Sequence, residues 1–157
     1  MGYDFVLFRL RKPLSPCPAR IPSDFGADSV VPITDPAPLH EAVRASALFD
    51  ADSLRFETDR FTWHTPDGGT LGIHPTEQCI HVDTHAHWDH VAELFDVVVA
   101  LWPDTMLFDL HKALVHDAAS FREFVERAYR EAAERARQMA QSQPSKPAAQ
   151  ADEGTLA

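Results

Sequence analysis

Apolar residues recur along this chain with two different spacings, and the changes from one to the other divide it into elements. Tyr3 to Leu10 is almost continuously apolar and aromatic, the pattern of a strand covered on both faces, which places it in the middle of a sheet. From Arg11 to Pro38 seven prolines stand among scattered Ser, Asp and Gly. Such a stretch neither pairs as a strand nor continues a helix, and predicts a long, mostly extended loop. Asp35 followed by Pro36 gives an N-cap and a first-turn proline. Leu39, Ala42, Val43, Ser46 and Ala47 then keep helical spacing, predicting a helix over Pro36 to Phe49. Ser53 to Thr58, Arg60 to Thr65, Thr70 to His74 and Cys79 to Thr84 read as strands of a meander. Pro66-Asp67-Gly68-Gly69 is its clearest hairpin turn, because the glycines supply positive φ.

Val91, Leu94, Phe95, Val98, Leu101 and Trp102 return to helical spacing until Pro103 stops them. Thr105 to Leu110 and Ala113 to His116 are apolar enough for one or two further strands. Ser120 with Glu123 three residues on reads as a capping box. It opens a long charged helix whose stripe is Phe121, Phe124, Val125, Ala128, Ala132 and Met139. Beyond Gln141 the Gln, Ser, Pro and Ala content predicts a disordered tail. The order implies an α+β fold, a single-domain sandwich over residues 1–141 with a tail over 142–157. Its sheet is mostly antiparallel, of about five to seven strands with three helices. Only Ile80 to Thr105 could form a parallel crossover.

Composition narrows the setting. The chain has 157 residues, 45% of them apolar, and a formal net charge of -10. That is enough for one core, and the acidity argues against nucleic acid or an anionic membrane and favours solubility or a basic protein partner. Phe5 to Phe8 is a short apolar start preceded by Asp4, so no signal peptide is expected. No apolar run approaches the roughly 20 residues of a membrane span. Cys17 and Cys79 make no disulfide framework, and a reduced cytoplasm is the expected location.

The candidate chemistry is concentrated in one place. Four of the nine histidines fall within the ten residues from His81 to His90. The string His85-Ala86-His87-Trp88-Asp89-His90 reads H-x-H-x-D-H and resembles the metal-binding motif of the metallo-β-lactamase superfamily. That resemblance implies that His85 and His87 hold a first metal ion and Asp89 and His90 a second. It also implies a hydrolase using zinc or iron, since imidazole suits both. His116 is the last histidine, and one helix and a tail follow it, with no counterpart of that family's second half. The same residues have a plainer reading. If Cys79 to Ala86 is a strand, His81, Asp83, His85 and His87 alternate onto its solvent face while Ile80, Val82, Thr84 and Ala86 face the core. Asp89 is then an N-cap or first-turn acid of the next helix. A third reading keeps His85, His87 and His90 as an adventitious or regulatory metal site.

Elsewhere, Ser120 is accounted for by capping, Cys17 and Cys79 lie in no nucleophile motif, and no glycine-rich phosphate loop follows a strand. Trp63, Trp88 and Trp102 read as core or core-edge residues. His111 and His116 would fall on opposite faces of a strand.

A second resemblance lies in the opening Met1-Gly2-Tyr3-Asp4-Phe5-Val6-Leu7-Phe8 and in Met106-Leu107-Phe108-Asp109 after its helix. These are similar to small cytoplasmic immunity proteins of bacterial polymorphic toxin systems. The resemblance implies a non-enzymatic binding protein, without a cofactor, that occludes the active site of a cognate, basic toxin domain. The surface expected to do so comprises Glu57, Asp59, Asp83 and Asp89, with Trp88 as an aromatic anchor.

Overall fold

The computed structural model describes residues 2–144. Eight strands are present: β1 (Tyr3–Arg9), β2 (Ala19–Arg20), β3 (Leu54–Phe56), β4 (Phe61–His64), β5 (Thr70–Pro75), β6 (Ile80–Thr84), β7 (Thr105–Asp109) and β8 (Leu114–His116). The helices are α1 (Ala37–Ala45), α2 (Trp88–Leu101) and α3 (Ala118–Ser142). The strands form one sheet in the order β2-β8-β7-β1-β6-β5-β4-β3, every neighbouring pair antiparallel. This is the expected α+β class, with one more strand than the upper expectation because the two-residue β2 pairs with β8. β1 lies in the middle, as its unbroken apolar run requires: Phe5, Val6 and Leu7 are all buried, which alternation allows only when both faces are covered. β6 and β7 both run antiparallel to β1, so they are parallel to each other, with β1 between them and α2 as the crossover.

Alternation sorts the side chains onto two faces. The inner face carries Phe5, Leu7, Phe61, Trp63, Leu71, Ile73, Ile80, Val82 and Leu107. It meets Leu39 and Val43 of α1, Val91, Leu94, Phe95 and Val98 of α2, and Phe121 and Val125 of α3, all buried. Phe121 lies edge-on to Phe5 at 5.3 Å between ring centroids.

The outer face is covered over one half only. Val6, Leu10, Met106, Phe108 and Val115 form a second cluster there, closed over by Leu14, Cys17, Ile21 and Phe25 of the proline-rich segment. The expected extended loop is therefore a cover for the sheet. It contributes β2, is tied down by Val31 N–H donating to the Arg9 carbonyl at 2.7 Å and Arg11 N–H to the Ser29 carbonyl at 3.0 Å, and seats Phe25 against Phe8 and Phe108. The other half, over β3 to β6, is polar. One cross-strand row there runs Asp4, Asp83, Gly72, Thr62 and Arg55.

Element ends moved in the usual places. α1 stops at Ala45 rather than Phe49, and its N-cap is Pro36 rather than Asp35, which stands one residue earlier and accepts from Ala37 N–H at 3.0 Å. α3 is capped by Asp117, whose carboxylate accepts from Ser120 N–H at 2.8 Å, so Ser120 is inside the helix and not its cap. The hairpin turn forms as expected, with Gly68 at φ 87°. The chain divides into a unit ending at Val125 and a second beginning at Glu126. In the second, the described residues continue α3 to Ser142, and Met139 of the expected stripe is exposed. The expected tail lies, from residue 145 on, outside the described residues. Among the described residues no helix is long and apolar enough to cross a membrane.

Candidate functional site

β6 ends at Thr84, and a short turn over His85 to His87 leads into α2. His81 and Asp83 do alternate outward, half-exposed, while Ile80, Val82 and Thr84 are buried. His85 and His87 are not on that strand face, because the strand stops before them. The four motif residues then point three ways. The His85 ring lies over Gly2, so close that a Cβ there would be 2.8 Å from its Cε1. His87 is the N-cap of α2, its Nδ1 2.9 Å from the Asp89 carboxylate. The Asp89 amide donates to the same Nδ1, at 3.4 Å. His90 turns toward the hairpin, with Nε2 3.3 Å from Asp67 and Nδ1 3.0 Å from Glu93, edge-on to Trp63. His85, His87, Asp89 and His90 thus do not converge. Among the described residues no group of three or more His, Cys, Asp or Glu side chains is placed to hold a metal ion. This arrangement does not fit the two-metal site that the motif implies, so no reaction step is derived through such a site.

The acidic candidates occupy two separate places. Glu57 and Asp59 sit on the turn between β3 and β4, and Asp83 lies on the open half of the outer face. Glu57 accepts from Arg60 Nε at 2.6 Å, and that bond and charge hold its carboxyl below the usual range. Asp83 stands 3.6 Å from His74 Nε2. Trp88 and Asp89, by contrast, belong to the first turn of α2. Trp88 is half-buried, packed at 4.7 Å on Tyr3, 5.6 Å on Phe5 and 5.7 Å on Phe124, with the last ring nearly parallel. It lines a recess of about 590 Å³ with Tyr3, Thr84, His85 and His111, at the carboxyl ends of β6 and β7.

No family model, curated protein or solved structure matches this chain. Its site is therefore read from its own geometry.

That geometry includes a group sequence reasoning passed over. Asp109 and His116 are buried at 0% and 1% exposure, and Ser120 at 8%. Asp109 Oδ1 accepts from the Tyr3 hydroxyl at 2.7 Å and from the amides of His111 and Lys112 at 3.1 Å each. Among the described residues its Oδ2 finds no hydrogen-bond partner, nor does His116 Nε2. His116 Nδ1 lies 3.0 Å from Ser120 Oγ, which in turn reaches the Asp117 carbonyl at 3.3 Å. The consistent assignment has Nδ1–H donating to Oγ and the hydroxyl donating to that carbonyl. Burial pushes the His116 imidazole below its ordinary value, against the pull of Asp109 and Asp117. Burial and then Asp109 hold the Tyr3 phenol far above its own. His111 and His116 are not on opposite faces of one strand: a turn separates them, and His111 stacks on Tyr3 at 4.2 Å. The signal in the sequence was an Asp closing the apolar run Met106-Leu107-Phe108. Asp-x-x-Ser after His116 was the other.

Proposed function

We propose that this protein is a non-enzymatic binding module that engages a protein partner through the open half of its outer sheet face. As a specific class, we propose an immunity protein that occludes the active site of a basic toxin domain. One observation carries this reading. The proline-rich segment covers the outer face over β1, β7 and β8, while the half over β3 to β6 presents Asp4, Thr62, His74, His81 and Asp83 half-exposed and Arg55 and His64 exposed. A polar face of that size in a chain of net charge -10 suits a partner of opposite charge. Glu57 and Asp59 stand at its end, so three of the five candidate contacts share it. Trp88 and Asp89 lie outside it, on the first turn of α2. Trp88 is held by Tyr3, Phe5 and Phe124 and serves packing.

An inhibitor of this kind buries roughly 1,600 Å² in total, with affinity concentrated in a few desolvated acid-to-Arg or acid-to-Lys pairs. Association slows with added salt, and changes at the rim alter the on-rate more than the off-rate. The test is co-expression with the toxin domain encoded at the same locus. The unaltered chain restores growth, Asp83→Lys and Glu57→Lys abolish protection, and Asp89→Lys leaves it in place. If the unaltered chain gives no protection and no complex survives gel filtration, the reading fails.

A further inference from the structure

The proline-rich segment does more than cover the sheet. Leu10 and Val30 pair as an isolated antiparallel bridge, and the stretches beside it, residues 11–14 and 22–29, border a recess of about 430 Å³. Its apolar lining is Leu10, which is buried, with Leu14, Pro22 and Phe25, which are half-buried. Both walls are pinned. Arg11 N–H donates to the Ser29 carbonyl at 3.0 Å, Phe25 N–H to the Pro22 carbonyl at 3.1 Å and Ser29 N–H to the Gly26 carbonyl at 2.9 Å. Leu14 N–H reaches Met106 Sδ at 3.2 Å. The recess therefore stands open without any rearrangement, and its volume falls among those of small-molecule sites, roughly 300–1,000 Å³.

Charges of both signs line the same recess. Arg11 and Lys12 come from one wall, Asp24 and Asp28 from the other, and all four are exposed. Among the described residues none of the four makes an ion pair, whereas Arg9, two residues before Arg11, is held by Asp104 at 2.9 Å. Two cations and two carboxylates thus border one apolar recess without meeting. A wholly anionic ligand would set its charge near Asp24 and Asp28, and a wholly cationic one near Arg11 and Lys12. A ligand with both charges meets both pairs in charge-assisted bonds, while its apolar part leaves water against Leu14, Pro22 and Phe25.

We propose that this recess binds a small apolar zwitterion, the chemistry of a free apolar amino acid or an apolar dipeptide, with its carboxylate toward Arg11 and Lys12 and its ammonium toward Asp24 and Asp28. The site lies over the covered half of the outer face, apart from the open half over β3 to β6. It therefore stands or falls independently of the protein interface there.

The experiment is a calorimetric titration of the full-length protein with L-phenylalanine and with leucyl-leucine, each beside its N-acetyl and its C-terminal amide derivative. One zwitterion binds per chain, and the tighter of the two parents identifies the source. Its acetylated form, which lacks the ammonium, and its amide, which lacks the carboxylate, bind about fivefold or more weakly. Arg11→Gln with Lys12→Gln weakens the parent by about fivefold or more and leaves the amide unchanged. Asp24→Asn with Asp28→Asn weakens the parent equally and leaves the acetylated form unchanged. That size is the scale of exposed ion pairs lost two at a time. Circular dichroism of both double variants stays that of the unaltered chain, since all four side chains are exposed. Three results overturn the inference: no binding of either parent at millimolar concentration, derivatives that bind as tightly as the parent, or an affinity unchanged in either double variant.

Discussion

Asp109 takes three hydrogen bonds on one carboxylate oxygen while fully buried at the end of a central strand. A carboxylate in that position is tolerable only because three donors meet its Oδ1; a lost bond to such a group costs about 1.5–3 kcal/mol. Tyr3→Phe keeps the ring contacts with Phe5, Trp88 and His111 and removes only the hydroxyl, so chemical denaturation should show a loss of that size. His116 sets a pH dependence. Its folded-state value is lowered by burial, so below the ordinary histidine value of roughly 6.5 the unfolded chain binds a proton the folded chain does not. Stability from this group is therefore complete above that pH and is lost as pH falls toward the lowered value. Melting temperature should drop on acidification from neutral, and the slope should flatten in His116→Phe. That ring can keep the contacts with Phe121 and Phe124. His40, lowered by burial and Arg44, adds a slope of the same sign that the variant retains.

Among the elements, the proline-rich segment departs furthest from what its local pattern says. Seven prolines mark it as a loop, and it is one, yet its scattered apolar residues close the second core. Phe25 packs on Phe8 at 5.2 Å and on Phe108 at 5.0 Å, so Phe25→Ala should cost about 1–3 kcal/mol, below the value for a fully buried phenylalanine. A melting temperature unchanged in that variant would show the segment to be a passive connection. α2 behaves oppositely. Its apolar spacing was plain, but the histidines before it were ambiguous, because a strand continuing to Ala86 and a turn beginning at His85 have the same composition. Thr84 decides between them: its hydroxyl accepts from Ala86 N–H at 3.1 Å and ends the ladder. The turn then sends His85 to Gly2 and His90 to Asp67, away from each other.

In the whole molecule, burial is uneven along the chain. The last buried residue of α3 is Val125, and from Arg130 to Ser142 every residue is exposed. A chain ending at Arg130 should melt within ~2 °C of the full length, since the exposed residues 131–142 contribute little and the composition beyond them is that of a segment without a core, while losing helical circular dichroism in proportion. Class, the order of the three helices and of every strand but β2, the central place of β1 and the hairpin at Gly68 were legible, because each follows from periodicity and turn chemistry within a few residues. Three things were not. Which half of the outer face is covered depends on a segment folding back over strands about 90 residues away in sequence. The Tyr3 hydroxyl reaches Asp109, already bonded to its neighbours His111 and Lys112, only because β1 pairs with β7. And the divergence of the motif histidines follows from how the turn between β6 and α2 is set against Gly2 and the Asp67 hairpin. Local sequence determined what each element is; long-range pairing alone decided which side chains meet, since contact across strands depends on register that no short stretch encodes.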